Sequence, residues 1–155
     1  MLIGLPASGK SSWAANFISQ NPELNFKILS TDYIIEEKGF RDGLDYGKSH
    51  EKNIRFAIAE MDRRFRQYIE NGFHIIHDQT NLTTKIRKQH LAKVTDYFKS
   101  ALVFILSEKI RVQRFNNRKT QTGKDIPELI LKNMVKGFEM PTKSEGFDKI
   151  INIEL

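Results

Sequence analysis

The sequence contains no cysteine among its 155 residues, which excludes disulfides, thiolate metal sites and cysteine nucleophiles and fits a reducing compartment. It also lacks any run of about 18 uninterrupted apolar residues, the length that a membrane-spanning helix needs, so no membrane role is predicted. Before the glycine-rich stretch that starts at Gly4 there is neither a basic region nor room for a signal peptide. We therefore expect a cytoplasmic location.

Acidic residues are fewer than basic ones, 19 against 25, which gives a formal net charge of +6 and a pI near 9.5. This excess favours polyanionic partners through long-range attraction to phosphates. A solubilising surface can be equally basic, so the charge alone leaves both interpretations open. The length and the lack of repeats or low-complexity tracts predict a single domain over residues 1–155.

Short apolar stretches alternate with amphipathic ones along the chain. The apolar stretches predict strands at residues 2–3, 26–29, 73–77, 101–106 and 150–155. Helical periodicity predicts helices at 11–20, 49–71, 83–98 and 108–119, and another that begins at Pro127 and reaches Phe138. The stretch 37–47, which holds several glycines, is predicted to be a mobile surface loop. Such alternation predicts an α/β fold of three layers, with helices flanking a parallel sheet.

Residues 4–11 match the phosphate-binding motif G-x-x-x-x-G-K-[ST] in full, between a predicted strand and a predicted helix. Glycines let backbone N–H groups converge on phosphate oxygens at a helix N-terminus, where the partial positive charge also favours an anion. Lys10 is predicted to reach the β- and γ-phosphates of ATP or GTP, and the Ser11 hydroxyl to ligate Mg²⁺. The predicted nucleotide-binding residues are Gly4, Pro6, Ala7, Ser8, Gly9, Lys10, Ser11 and Ser12.

Two aspartates follow predicted strands, at the sheet edge where α/β proteins bind their ligands. Asp32 comes after strand 26–29, and Asp78 comes after strand 73–77. Either could instead be a turn or helix-cap residue. Phosphoryl transfer needs a phosphate cradle, a metal and a carboxylate that takes the acceptor's proton. We therefore predict Asp32 as the general base and Asp78 as a ligand of Mg²⁺-bound water.

A basic helical lid is predicted at about residues 108–126. Arg111, Arg114 and Arg118 fall at i, i+3 and i+7, so they share one face of a helix. The alternative is a solvated charged face. Charge that develops on a transferred phosphoryl group needs mobile cations delivered on closure, which favours Arg114 and Arg118 as catalytic lid arginines.

Several motifs together resemble the kinase module of 5′-polynucleotide kinases, the phage enzyme and the mammalian end-repair enzyme, over essentially the whole chain. The resemblance rests on residues 4–13, 30–32, 78–81, 114–118 and 145–147 and on Arg87. It implies a P-loop kinase fold, ATP and Mg²⁺ as cofactors, and 5′-hydroxyl nucleic acid ends as partners. It implies that Lys10, Asp32, Arg114 and Arg118 are catalytic and that Asp32, Thr80, Asn81 and Arg87 contact the substrate. The phosphatase motif D-x-D-x-T is missing from the sequence, so repair of 3′ phosphates is not expected.

The sequence is also similar to the P-loop domain of heterogeneous nuclear ribonucleoprotein U, through residues 21–22, 78–81, 123–127, 147–148 and 153–155. That domain lacks the aspartate that matches Asp32, so its retention here favours a working kinase. In the phage enzyme an arginine three residues beyond the base holds the acceptor strand, whereas this chain has Ile35 there. Arg41, Lys48 and Lys52 are candidates to take over that contact.

Three functions stay open from the sequence. The first is a 5′-hydroxyl polynucleotide kinase acting on RNA or DNA, and the second is a nucleotide-gated RNA-binding module without transfer activity. The third is a kinase of a small hydroxyl compound, for which the excess of positive charge has no obvious use. Asp32 separates the first from the second, because binding does not need a base.

Overall fold

A computed structural model of the chain describes residues 1–154. Its strands are β1 (Leu2–Ile3), β2 (Phe26–Leu29), β3 (His74–His77), β4 (Ser100–Ile105) and β5 (Lys149–Glu154). Its helices are α1 (Lys10–Gln20), α2 (Thr31–Asp42), α3 (Tyr46–Glu70), α4 (Thr84–Leu91), α5 (Glu108–Thr122) and α6 (Glu128–Lys136). Short 3₁₀ turns lie at Pro22–Leu24 and Lys143–Glu145. The predicted last strand extended to Leu155, which lies outside the described residues.

All strand pairs are parallel, with β1 beside β4, β4 beside β5, and β2 beside β3. A bridge between Leu2 and Asp78 joins the two groups, so the strands run in the order β2-β3-β1-β4-β5. β1 and β2 follow each other in the sequence, but β3 lies between them in the sheet. This topology brings the ends of β1, β2 and β3 to one edge, and it confirms the predicted α/β fold.

Consecutive residues of β1 face opposite sides of the sheet and pack against different helices. Leu2 lies in a cluster with Ala14 of α1, whereas Ile3 lies in a cluster with Leu91 of α4. Both strand residues are fully buried. Helices therefore cover both faces and form the three layers expected. Within residues 1–154, no helix is both long and apolar enough to cross a membrane.

The predicted surface loop at 37–47 is wrong, because α2 runs to Asp42 and α3 begins at Tyr46. Gly39 contributes to the prediction of a loop, but it lies inside α2 where that helix meets α3. A Cβ on Gly39 would lie 2.7 Å from both Cβ and Oγ of Ser49, so the glycine allows a close helix contact. Ser49 of α3 stabilises this contact, because its hydroxyl donates a hydrogen bond to the Ile35 carbonyl of α2 over 2.7 Å.

Three other helices differ in length from the prediction. The helix predicted at 83–98 ends at Leu91, and the residues that follow form turns that lead into β4. Helix α5, the predicted lid, extends to Thr122, and it ends there because Gly123 takes a left-handed φ of 67°. Helix α6 is shorter than predicted. Pro127 is its N-cap and not its first residue, and the helix ends at Lys136.

Candidate active site

The phosphate-binding loop connects β1 to α1 and has the backbone geometry of an anion cradle. Ala7 and Gly9 both have positive φ angles, 62° and 93°. Gly4 lies so close to β4 that a Cβ there would be 3.0 Å from the Phe104 carbonyl oxygen. Successive N–H groups in such a loop point inward at the N-terminus of α1. The residues therefore fit the polyphosphate of a nucleotide.

Lys10 folds back onto this loop. Its ammonium group donates to the carbonyl oxygens of Gly4 and Leu5 over 2.9 and 2.8 Å and to Ser8 Oγ over 3.2 Å. Burial lowers the pKa of Lys10 to about 8, although the nearby Asp78 carboxylate opposes that shift. The lysine is thus held by the loop itself, at the place where phosphate oxygens would replace the carbonyl contacts.

Ser11 and Asp78 meet beside the loop. Burial raises the pKa of Asp78, while a hydrogen bond from the Ser11 hydroxyl and the charge of Lys10 act in the opposite direction. Oxygen donors of this kind suit Mg²⁺. Within residues 1–154, no group of three or more His, Cys, Asp or Glu side chains could hold a metal. An ion held by Ser11 and Asp78 would therefore take its other ligands from phosphate and water.

Asp32 lies in the first turn of α2, but it is not the helix cap. Ser30 is the N-cap, because its side chain accepts from the Tyr33 N–H. The Asp32 carboxylate instead accepts from the Tyr46 hydroxyl over 3.0 Å and from Arg118 over 3.3 Å. Its side chain is 42% exposed. The cap interpretation is thus removed, and the Asp32 side chain lies partly open to solvent beside Tyr46 and Arg118.

The two arginines predicted to belong to a lid both lie on α5, but their surroundings differ. Arg118 reaches across to Asp32, and Lys124, which follows the helix, lies 3.8 Å from the same carboxylate oxygen. Arg114 is half-buried and forms no ion pair within the described part of the chain. Its assignment as a lid arginine stays a prediction. Sequence reasoning missed Tyr46, because that residue lies inside the predicted loop at 37–47, and it placed Lys124 in the basic lid without giving it a role at the site.

The motif that begins at Asp78 forms hydrogen bonds with the phosphate-binding loop and with β1. The Thr80 carbonyl accepts from the Gly4 N–H over 3.0 Å. Asn81 is buried, has a φ of 49°, and donates its side-chain amide to the Leu2 carbonyl over 2.7 Å. Asn81 therefore braces β1 from the interior, where no substrate reaches it. Its prediction as a substrate contact is corrected to a structural role.

Arg87 is the second correction among the predicted substrate contacts. Its side chain is 0% exposed and forms a two-pronged ion pair with Glu145, over 2.7 and 2.9 Å. The remaining N–H groups donate to Thr84 and to main-chain carbonyls, those of Asn81, Leu82 and Glu139. All guanidinium donors are thus occupied inside the protein. Arg87 ties α4 to the segment before β5.

The position of the missing acceptor arginine faces the protein interior. Ile35 is fully buried and packs with Ala57 of α3. The basic residues suggested as substitutes are each bound to a carboxylate, with distances of 2.6 to 3.4 Å: Arg41 to Glu37, Lys48 to Asp45, and Lys52 to Asp42. A phosphate contact from any of them would require breaking an exposed ion pair, which takes little free energy.

Two known proteins are similar to this chain in sequence. Heterogeneous nuclear ribonucleoprotein U-like protein 2 of Homo sapiens is 25% identical over 158 residues, covering 100% of this chain and 21% of the relative. The L-seryl-tRNA(Sec) kinase of Methanococcus maripaludis is 29% identical, covering 96% of this chain and 55% of the enzyme. The chain therefore spans about a fifth of one relative and about half of the other.

Two solved structures match the fold. A protein named as a kinase from Chloroflexus aurantiacus superposes with a TM-score of 0.70 at 14% identity, covering 99% of this chain and 82% of that one. A gluconokinase from Sinorhizobium meliloti 1021 gives 0.56 at 16% identity, covering 99% and 79%. These likenesses support a kinase-like P-loop fold. The family model described as "AAA domain" matches residues 1–141, and the chain belongs to this family.

Proposed function

We propose that this chain transfers the γ-phosphate of ATP to the 5′-hydroxyl of an RNA or DNA end. The observation that carries the proposal is the position of Asp32. Its carboxylate contacts the lid cation Arg118 and lies near enough to Lys10 to influence the pKa of that lysine. A base, a lid cation and a phosphate loop therefore converge, which is the arrangement that phosphoryl transfer requires.

In the proposed reaction the acceptor oxygen forms a bond to the γ-phosphorus and gives its proton to Asp32. The bond from that phosphorus to the bridging oxygen breaks, and its electron pair leaves with ADP. Lys10 and Arg118 hold the negative charge that spreads over the transferred group. Tyr46 holds Oδ1 of Asp32, and Oδ2, which Arg118 contacts in the structure, takes the proton once Arg118 turns to the phosphate. Mg²⁺, held by Ser11 and Asp78, would supply further charge neutralisation.

Support for a nucleic acid acceptor comes from charge and from the relatives. The net charge of +6 suits a polyanion. One relative is named as a ribonucleoprotein component and another as a kinase of an aminoacylated tRNA. This chain spans only part of each relative, so their substrates are not assigned to it directly. The nucleic acid acceptor is our own inference.

A kinase of a small hydroxyl compound is the second candidate, and one observation favours it. Position 35 is buried, and the three residues suggested to hold an acceptor phosphate, Arg41, Lys48 and Lys52, each have a carboxylate partner. A gluconokinase also shares the fold. A nucleotide-gated RNA-binding module has less support, because it would not use Asp32.

Labelled ATP decides between these candidates when it is offered with 5′-hydroxyl RNA and DNA oligonucleotides beside gluconate and other small alcohols. We expect label on the oligonucleotides, with an acceptor KM that rises steeply with salt because each neutralised phosphate releases counterions. Label on a small alcohol alone would reject the nucleic acid acceptor. ATP binding with no labelled acceptor, but with nucleotide-dependent RNA binding, would instead support the gated module.

A further inference from the structure

The carboxyl end of the lid is joined to α2 by two cations that face two carboxylates. Asp32 and Glu36 are four residues apart, so both lie on the same face of α2. Arg118 pairs with Asp32 over 3.3 Å. Lys124 pairs with Glu36 and also lies 3.8 Å from Asp32. The two cations therefore share one acidic face.

Lys124 is enclosed by these contacts far more than the other lid lysines. Its side chain is only 12% exposed, and its ammonium lies 4.6 Å from the centre of the Tyr46 ring, a cation–π distance. Lys119, in contrast, is 57% exposed and pairs with Asp125 at the surface. A charged group that is this enclosed keeps its place only with partners, so the Lys124 contacts fix the chain at that point.

The end of α5 explains how Lys124 reaches this position. Gly123 has a φ of 67°, and its N–H donates to the Lys119 carbonyl over 3.0 Å. The left-handed residue turns the chain back under the helix. Lys124 is thereby directed toward α2, while the neighbouring Asp125 stays at the surface. The glycine and the lysine together form one local attachment point.

We propose, on the basis of the proposed function, that Lys124 is a positioning residue for phosphoryl transfer: through Glu36 it anchors the lid to α2 and so places Arg118 between Asp32 and the phosphate loop. In the structure Arg118 is bound by Asp32. When ATP is bound, its γ-phosphate competes for the same arginine.

This arrangement assigns different parts to the two cations. Arg118 exchanges between the Asp32 carboxylate and the phosphate, which frees the base only after ATP has bound. Lys124 keeps its contact with Glu36 throughout and is the fixed point of the movement. Loss of Lys124 should therefore loosen the lid and lower turnover, whereas ATP affinity, which the loop and Lys10 provide, should change little.

Hydrogen exchange of the nucleotide-free protein tests the anchor directly and needs no acceptor. We expect amides in the carboxyl half of α5 to exchange about tenfold faster in Lys124→Gln and in Glu36→Gln, with little further increase in the double variant because one contact is lost in each. Lys124→Arg, which keeps the charge, should restore slow exchange. The matched control is Lys119→Gln, which removes an equivalent charge one turn earlier and should leave the exchange unchanged.

Kinetics with the accepted substrate then test the consequence for catalysis. For Lys124→Gln we expect kcat to fall about tenfold while the Kd for ATP stays within about twofold, with recovery in Lys124→Arg. Unchanged exchange in both Lys124→Gln and Glu36→Gln would overturn the anchor, as would additive effects in the double variant. If no variant phosphorylates any acceptor, the proposed function fails, while the exchange data still decide whether Lys124 anchors the lid.

Discussion

The Tyr46 hydroxyl donates to Oδ1 of Asp32 over 3.0 Å, although the two residues belong to different helices. Burial and the negative charge of Asp32 raise the pKa of Tyr46, so the phenol keeps its proton at neutral pH. The first residue of α3 thus holds a carboxylate that lies in the first turn of α2. This contact gives the proposed base a fixed orientation and leaves Oδ2 to the lid.

Tyr46→Phe should lower turnover about tenfold, because a hydrogen bond to a charged group is lost and Asp32 can rotate. ATP affinity should stay the same, since Tyr46 does not touch the loop. Steady-state kinetics and nucleotide titration measure the two effects. Tyr97→Phe is the control: that hydroxyl donates to the Phe73 carbonyl over 3.1 Å, away from the site, so turnover should be unaffected. Equal turnover in wild type and Tyr46→Phe would contradict the orienting role.

Asp32→Asn should separate binding from chemistry. The amide keeps the size of the side chain but cannot take a proton, so turnover should fall by roughly 10² to 10⁴ while ATP affinity holds. Asp78→Asn should also weaken the dependence of the rate on Mg²⁺, because its proposed partner is the hydrated metal. Nucleotide titration and transfer assays on both variants give the comparison. Near wild-type turnover in Asp32→Asn would remove the base assignment.

The lowered pKa of Lys10, about 8, predicts a proton uptake on ATP binding. Above pH 8 a growing fraction of the lysine in the free protein is neutral, and the phosphates favour its charged form. Binding at pH 8 to 9 should therefore take up protons, and affinity should fall as the pH rises through this range. Calorimetry in buffers of different ionisation enthalpy measures the uptake.

The control for this prediction is Lys10→Met, which should bind ATP weakly without proton uptake and should not support transfer. The same pKa shift affects folding. Since the value in the unfolded chain is 10.5, the unfolded state binds more protons between pH 8 and 10.5. The Lys10 contribution to the free energy of unfolding therefore rises across that window. Identical pH dependence of unfolding in wild type and Lys10→Met would contradict the burial of the charge.

Arg87→Met should destabilise the protein by about 3 to 5 kcal/mol, because it leaves Glu145 charged and unpaired in the interior. Urea denaturation measures the loss. Arg63→Met is the control, since Arg63 pairs with Glu60 at the surface and its loss should change stability by less than about 1 kcal/mol. An acceptor KM that rises in Arg87→Met with stability unchanged would restore its role in substrate binding.

The sequence by itself determined the features that depend on neighbouring residues. The loop motif at 4–11 needs only its own glycines and the helix that follows, and α3 follows from the apolar period of residues 49–71. The positions of Asp32 and Asp78 after strands placed both at one sheet edge, because parallel strands end together. In each case, residues close to one another in the sequence were enough to predict the feature.

Only the tertiary structure decided which side chains meet across the chain. Arg118 and Asp32 are 86 residues apart, and Arg87 and Glu145 are 58 apart. Arg87 and Arg118 are alike as residue types, yet one is sealed in the interior and the other borders the site. Gly39 likewise reads as a loop residue until Ser49 of α3 packs against it. These outcomes depend on how the helices pack on the sheet, since burial and long-range pairing are set by the assembled fold rather than by local sequence period.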